Sequence, residues 1–212
     1  VVLAIAGEHG LDVESLRGMH VLELIERGVS ELGRADDGAG RSFAREAHDA
    51  VIEIELEAAE RVSAYPGVPE LLEELGRRRL GVGIVTRNGR AAVQRILERI
   101  PLHRDVLLTR DDVTQVKPDP LHLLVALEVL EVPGNRSAMC GDHVMDIVAG
   151  RRVGATTVGV LKPGFEASYF AEVAPDVVLQ RVTDLLGLLP RRAGRSLDPL
   201  KATRPKGAGS VR

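Results

Sequence analysis

The stretch from 139 to 150, Met-Cys-Gly-Asp-His-Val-Met-Asp-Ile-Val-Ala-Gly, constrains the fold more than any other part of the chain. A short apolar run ends at Asp142, a second aspartate follows at Asp146, and a helical apolar pattern then begins. This order predicts a strand, a tight turn and a helix. Ligands bind at the carboxyl ends of strands in open parallel sheets, where a divalent cation would compensate two carboxylates. The alternatives are a helix cap at Asp142 and a favourable helix dipole at Asp146.

The region from 65 to 190 alternates apolar strand patterns with amphipathic helical patterns. Such alternation predicts an α/β fold, a doubly wound parallel sheet with right-handed crossovers. The predicted strands are 81–85, 106–108, 137–140, 156–160 and 176–179, and the predicted helices between them include 90–98 and 120–130.

Residues 1–64 show helical spacing throughout and no strand pattern, which predicts an all-helical domain set apart from the sheet. A loop is predicted at 35–40, before a long helix from about 42 to 62. Tyr65-Pro66-Gly67 marks the boundary with the α/β domain of 65–190, and the basic segment 191–212 is predicted to be a disordered tail. The long helix is predicted to bury one stripe, formed by Phe43, Ala47, Val51, Ile54, Ala58 and Val62.

Composition excludes several classes of partner. The net charge is −3 and aromatic residues make up 2%, which argues against nucleic acid and its base-stacking surfaces. No apolar run reaches the length of a membrane-spanning helix, so no membrane partner is expected. The single cysteine, Cys140, lies in a predicted strand, where we expect its thiol to be packed. One cysteine cannot form an internal disulfide, which is consistent with a reducing, cytoplasmic location. A monomer and a homodimer both remain open.

Two further polar residues follow predicted strands of the same sheet. Thr86 ends a strand with a hydroxyl and a backbone N–H just before a helix, which would form an anion site, although alone it would be a helix cap. Lys117 is one of only four lysines, and Pro118 restricts its backbone to an extended conformation, although alone it would be a solvated loop residue. Together with Asp142 and Asp146, these groups predict a site for a phosphate and a cation.

Three segments in this order resemble the motifs of the haloacid dehalogenase superfamily of phosphohydrolases. Residues 83–88, Gly-Ile-Val-Thr-Arg-Asn, are similar to its second motif, and 117–120, Lys-Pro-Asp-Pro, to its third. The Gly-Asp-x-x-x-Asp of 141–146 is similar to its fourth. The resemblance covers about residues 1–188 and implies a Rossmann-like core, with the helices of 1–64 as an inserted cap domain.

The resemblance implies roles for the site residues. Thr86, Lys117 and Asp142 would be catalytic: Thr86 would bind the substrate phosphate and Lys117 would balance its charge. Arg87 and Asn88 would border the phosphate pocket together with these residues.

The same resemblance implies a metal site. Asp142 and Asp146 would hold Mg²⁺, one directly and one through water. His143 departs from the serine or threonine that is usual after Gly-Asp, and we expect it at the rim of the pocket.

The family's first motif, an apolar strand followed by Asp-x-Asp-Gly-Thr, does not occur in this sequence. In the family its first aspartate attacks phosphorus and its second acts as general acid and base. The chain as given is therefore expected not to turn over by this mechanism. Because that strand would be central, the strands that end at Thr86 and Asp142 are expected to expose or badly pair their edges.

The leading functional hypothesis is a Mg²⁺-dependent phosphatase of small phosphorylated metabolites, resembling phosphoglycolate phosphatases, with its nucleophile segment missing by truncation. The alternative is a non-catalytic relative that binds a phosphorylated ligand or a partner. Phosphoglucomutase-like and dehalogenase-like activities also remain open. A receiver domain would present its acidic pair first and its lysine last, and a dinucleotide fold would need a third glycine where Thr86 stands.

Overall fold

A computed structural model of the chain describes residues 1–189, so the predicted basic tail of 191–212 lies outside the described residues. The described chain divides into two compact units. A helical unit contains Val1–Ser63 and Asn88–Pro101, and an α/β unit contains Ala64–Arg87 and the described residues from Leu102 onward. The domain limits 1–64, 65–190 and 191–212 stay a prediction.

The elements alternate in chain order largely as the sequence patterns predict. No helix within residues 1–189 is long and apolar enough to cross a membrane. The helices are α1 (Val2–Glu8), α2 (Val13–Leu16), α3 (Val21–Ala35), α4 (Asp37–Arg61), α5 (Val68–Arg77), α6 (Arg90–Arg99), α7 (Leu121–Val129) and α8 (Val144–Arg152). The strands are β1 (Gly83–Val85), β2 (Val106–Leu108), β3 (Ala138–Gly141), β4 (Thr156–Val160) and β5 (Val177–Leu179).

The core of the helical unit lies between α1, α3 and the first half of α4. Phe43 is fully buried there against α3, where a Cβ added to Gly28 would come within 2.4 Å of its ring. The predicted loop at 35–40 is wrong, because Asp36 alone separates α3 from α4. The Asp36 Oδ1 accepts a hydrogen bond of 2.8 Å from the Gly38 N–H, which caps α4 and allows the short connection.

The second half of α4 departs from the predicted apolar stripe. Ile54 and Val62 are 46% and 40% exposed, and Ala58 is exposed too. The buried residues that α4 shares with α3 end at Val51. Beyond that point α4 packs against α6 through polar contacts, such as the 2.5 Å ion pair between Arg95 and Glu60. The stripe is therefore wrong after Val51: in this half of α4 the buried residue is Ala59, which lies outside the predicted stripe.

The α/β unit contains two parallel sheets. In the first, β1 pairs with β2, and Val85 lies beside Leu108. In the second, the order is β3-β4-β5, and Gly141 lies beside Gly159. Within residues 1–189, β1 and β3 thus each keep one edge without a strand partner. The parallel strands and helical connections confirm the α/β class, with the strands divided between two sheets.

Strand β1 is less buried than the apolar pattern of 81–85 predicts. Gly83 is exposed, and Ile84 and Val85 are only half-buried. By contrast, Val106 and Leu108 of β2 are each 8% exposed and pack with Ala126 of α7. The two strands of this sheet therefore differ in burial, although each has one strand partner.

Candidate active site

Lys117 joins the two sheets at the carboxyl ends of their strands. Its ammonium donates to the Val85 carbonyl oxygen at 2.8 Å, and its Nζ lies 2.8 Å from the Asp146 Oδ1. The side chains of Lys117 and Asp146 are only 9% and 8% exposed. We call this ion pair the inner pair. It brings the end of β1, the Lys-Pro loop and the first turn of α8 into direct contact, and the Lys117–Pro118 peptide bond is cis.

The second carboxylate oxygen of Asp146 holds the turn before α8. Its Oδ2 accepts a hydrogen bond of 3.1 Å from the His143 N–H, while the His143 Nδ1 accepts one of 3.3 Å from the Met145 N–H. His143 therefore caps α8, as serine or threonine commonly does. A neutral ring that accepts at Nδ1 carries its proton at Nε2. Gly141 is required here, because an added Cβ would lie 2.2 Å from the Asp146 Oδ2.

Asp142 lies at the same end of the sheet but is half exposed. Its Oδ2 is 3.6 Å from the Nζ of Lys162, and the two side chains are 50% and 33% exposed. We call this the outer pair. Lys162 follows β4 by two residues, and the pairing of Gly141 with Gly159 places Asp142 and Lys162 at one edge. Lys162 lies outside the three motif segments, and the sequence signals that point to it are its position just after a predicted strand and the scarcity of lysine.

Thr86 and Arg87 stand at the end of β1. The Thr86 N–H donates to the Leu108 carbonyl oxygen at 2.9 Å, so the expected backbone anion donor is wrong: the sheet uses this N–H. Helix α6 begins at Arg90, four residues after Thr86. A phosphate contact by the Thr86 hydroxyl stays a prediction. The Arg87 Nη1 lies 2.9 Å from the Met145 Sδ, which places its guanidinium at the first turn of α8.

Asn88 belongs to the helical unit and is exposed. Next to it, the Gly89 N–H donates a hydrogen bond of 2.9 Å to the Glu55 Oε2 of α4. This carboxylate occupies the amino end of α6, where backbone N–H groups favour anions. A phosphate contact by Asn88 stays a prediction.

Two buried groups near the site are held neutral. Burial raises the pKa of the Cys140 thiol to about 11, which makes it a packing residue of β3 and not a nucleophile. Burial, and secondly the positive charge of Lys117, lower the pKa of His122 on α7, whereas backbone groups of Thr109 and Leu108 act in the opposite direction. His122 is fully buried and neutral at pH 7, so it adds no charge beside the inner pair.

The two aspartates are the donors that a metal would use here. Within residues 1–189 no group of three or more histidine, cysteine, aspartate or glutamate side chains is suited to hold a metal ion. Mg²⁺ commonly binds one or two carboxylates and completes its octahedron with water and phosphate oxygens. The half-exposed Asp142 and the buried Asp146 match this number of carboxylate ligands.

The sequence comparisons show the family to which the chain belongs. Residues 14–160 match the profile of the haloacid dehalogenase-like hydrolases, and the chain belongs to this family. It is 36% identical over 156 residues to the pyrophosphatase PpaX of Bacillus mycoides (strain KBAB4), a match that covers 73% of this chain and 68% of the relative. Another Bacillus pyrophosphatase is covered over 65% of its length, so the chain spans about two thirds of these relatives.

Solved structures share the same architecture. A hydrolase from Pseudomonas syringae is 25% identical and superposes with a TM-score of 0.59, over 88% of this chain and 89% of that protein. A proposed phosphoglycolate phosphatase from Lactobacillus plantarum is 23% identical, with a TM-score of 0.63 and 89% of both chains covered. The second similarity supports the fold alone.

Proposed function

We propose that the chain carries the phosphate and cation site of a Mg²⁺-dependent phosphatase that acts on small phosphorylated metabolites. The inner pair is the observation that carries this proposal, because Lys117 contacts both the end of β1 beside Thr86 and the first turn of α8. A buried lysine beside a half-exposed edge provides a fixed positive charge for a phosphate. The PpaX relative is named a pyrophosphatase, which supports a substrate with a phosphate bond to hydrolyse.

The roles of the phosphate-binding residues follow from their placement. The Thr86 hydroxyl binds a phosphate oxygen, and the Lys117 ammonium neutralises phosphate charge. The Arg87 guanidinium extends from the end of β1 to the first turn of α8, where it borders the bound phosphate. These groups orient the phosphate and stabilise the negative charge that develops on its oxygens.

Asp142 and Asp146 hold the Mg²⁺ in this proposal. When bound, the ion neutralises phosphate oxygens and helps to orient them. Asp142 is the exchangeable ligand, because it is half exposed and its contact with Lys162 is long. Asp146 is the fixed ligand, because both of its oxygens are already held.

Residues 1–212 contain no Asp-x-Asp sequence, the motif that supplies the nucleophile in the family that the chain resembles. We therefore propose that these residues bind phosphate and cation but do not turn over substrate. The helices of 1–64 correspond to the cap domain of the family, and 65–190 correspond to its core domain. The neutral, packed Cys140 supports a reducing, cytoplasmic location. The second candidate, a non-catalytic phospho-ligand-binding protein, is favoured by the same missing motif.

Isothermal titration calorimetry of the chain with inorganic phosphate and Mg²⁺ tests the proposal. We expect phosphate binding that requires Mg²⁺, and Mg²⁺ affinity at least about tenfold lower in Asp142→Asn. The matched control is Asp184→Asn, which alters an aspartate paired with Arg181 and is expected to change affinity less than about twofold. Absence of phosphate binding to the wild-type chain at saturating Mg²⁺ would reject the proposal.

Turnover separates the two candidates. If the function is enzymatic, the protein expressed from an upstream-extended gene should hydrolyse phosphorylated metabolites with Mg²⁺. The substitution Asp142→Asn should abolish that hydrolysis. Tight binding without hydrolysis by the extended protein would establish the non-catalytic alternative.

A further inference from the structure

Lysine is rare in this chain and is concentrated at the candidate site. Among four lysines, the two that lie in residues 1–189 are Lys117 and Lys162. Each pairs with one aspartate of the Gly-Asp-x-x-x-Asp segment. The motif-based assignment uses Lys117 and leaves Lys162 without a function.

The backbone of Lys162 is held in a fixed turn. Its carbonyl oxygen accepts a hydrogen bond of 3.0 Å from the Phe165 N–H, Pro163 follows it, and Gly164 has a φ of +84°. This combination is typical of a type II turn. The Phe165 ring packs edge-on against Tyr169, with centroids 5.0 Å apart, and so ties the turn to neighbouring aromatic residues. The base of the Lys162 side chain is therefore fixed, while its ammonium is accessible to solvent.

The single negative charge of Asp142 cannot neutralise both the Lys162 ammonium and a divalent cation. One carboxylate carries one negative charge, and in the outer pair that charge is shared with Lys162 at 3.6 Å. A divalent cation on Asp142 more than neutralises the carboxylate, so the attraction that holds Lys162 there is lost. The Lys162 ammonium, whose side chain is a third exposed, is then available to another anion at the same edge. The inner pair differs, because Asp146 holds Lys117 in a buried 2.8 Å contact.

We propose that Lys162 binds a second anionic group of the substrate, a second phosphate or a carboxylate, and thereby selects substrates that carry two anionic groups. This inference rests on the proposed function and extends it, because it assigns the first phosphate to Lys117 and Thr86. Lys162 leaves Asp142 when Mg²⁺ binds and contacts the group that extends beyond the first phosphate. It is a specificity residue that needs no part in the chemistry of phosphate transfer.

Binding of three probes to the full chain at saturating Mg²⁺ tests this inference. The probes are inorganic phosphate, pyrophosphate and phosphoglycolate, and the readout is the dissociation constant from calorimetry. In Lys162→Met we expect affinity for pyrophosphate to fall about tenfold or more, since a hydrogen bond to a charged group is lost. Affinity for inorganic phosphate should change less than about twofold, and Lys162→Arg should recover part of the loss.

The two anionic probes and a charge-matched variant separate the outcomes. Loss for pyrophosphate alone assigns a second phosphate, and loss for phosphoglycolate as well assigns a general anion contact. Arg181→Gln also removes one positive charge, from a different ion pair, and should leave all three affinities within about twofold. Equal loss for inorganic phosphate and pyrophosphate, or no loss for either two-anion probe, would overturn the role of Lys162. A wild-type chain that binds none of the probes would reject the proposed function itself, and this inference with it.

Discussion

The inner and outer pairs each join a lysine to an aspartate, and the two aspartates are only four residues apart, yet the pairs differ in distance and in exposure. Lys117 and Asp146 are in contact at 2.8 Å with side chains less than a tenth exposed. Lys162 and Asp142 are 3.6 Å apart and are a third to a half exposed. Because the first pair is buried, each of its charges needs the other for stability, and the pair contributes to the structure of the α/β unit. The second pair is screened by water and can exchange its partner for a ligand.

This contrast shows that the burial of a charged side chain at the edge of a sheet decides whether it stabilises the fold or remains open to a ligand. The inner pair is held in place by the Val85 carbonyl and the His143 N–H as well as by its own attraction. The outer pair has no such support in the hydrogen bonds described for it.

Lys117→Met should have the largest effect on stability. It leaves Asp146 buried without its counter-charge, which typically lowers the free energy of unfolding by about 3–5 kcal/mol. Lys162→Met is the matched control and should lower it by about 1 kcal/mol or less, because its pair is exposed. Urea denaturation followed by circular dichroism measures both. Equal losses would remove the distinction between the two pairs.

The double variant Lys117→Met, Asp146→Leu should be more stable than Lys117→Met alone. Removing the orphaned carboxylate takes away the main source of instability, and recovery of about 2 kcal/mol is expected. Recovery will be incomplete, because the His143 N–H also loses its acceptor. The same denaturation experiment gives the coupling energy by a double-mutant cycle. No recovery would mean that Lys117 stabilises the fold chiefly through its bond to the Val85 carbonyl.

Acid should weaken the surroundings of the inner pair through His122. Because its pKa is lowered in the folded state, the unfolded chain binds a proton at a higher pH than the native chain. Stability therefore falls as pH drops below the ordinary value of 6.5, with a slope of up to about 1.4 kcal/mol per pH unit. Denaturation between pH 7 and pH 5.5 should show a shallower slope in His122→Gln. Identical slopes would show that His122 does not contribute.

Salt should affect the outer pair only slightly and the inner pair even less. Exposed charges are screened strongly at 1 M salt, whereas buried pairs are screened much less. The stability difference between wild type and Lys162→Met should therefore shrink by about 0.5 kcal/mol between 0.1 M and 1 M NaCl. The difference between wild type and Lys117→Met should persist. A collapse of the second difference in salt would show that the inner pair is hydrated.

Much of the α/β unit could be read from the sequence because its signals are local. The sequence pattern predicts β2 and β4 with the same first and last residues that the structure has. It also predicts the turn at Gly141, a position where a larger residue would clash with Asp146. The prediction of a loop at 35–40 was wrong because a single residue, Asp36, separates the two helices and its side chain caps the second one. The buried stripe of α4 failed after Val51, because periodicity cannot say where a partner helix ends.

The identity and order of the chemical groups that follow the strands could be predicted from the sequence alone: a hydroxyl at Thr86, an ammonium at Lys117 and the two carboxylates of Asp142 and Asp146. Order along the chain is a local property, so it does not depend on which segments become neighbours. The pairing of each lysine with its aspartate, the depth of each pair and the contribution of Lys162 depend on the tertiary structure. Contact and burial are set by segments far apart in sequence, and the strength of a charge depends on the water that those segments exclude.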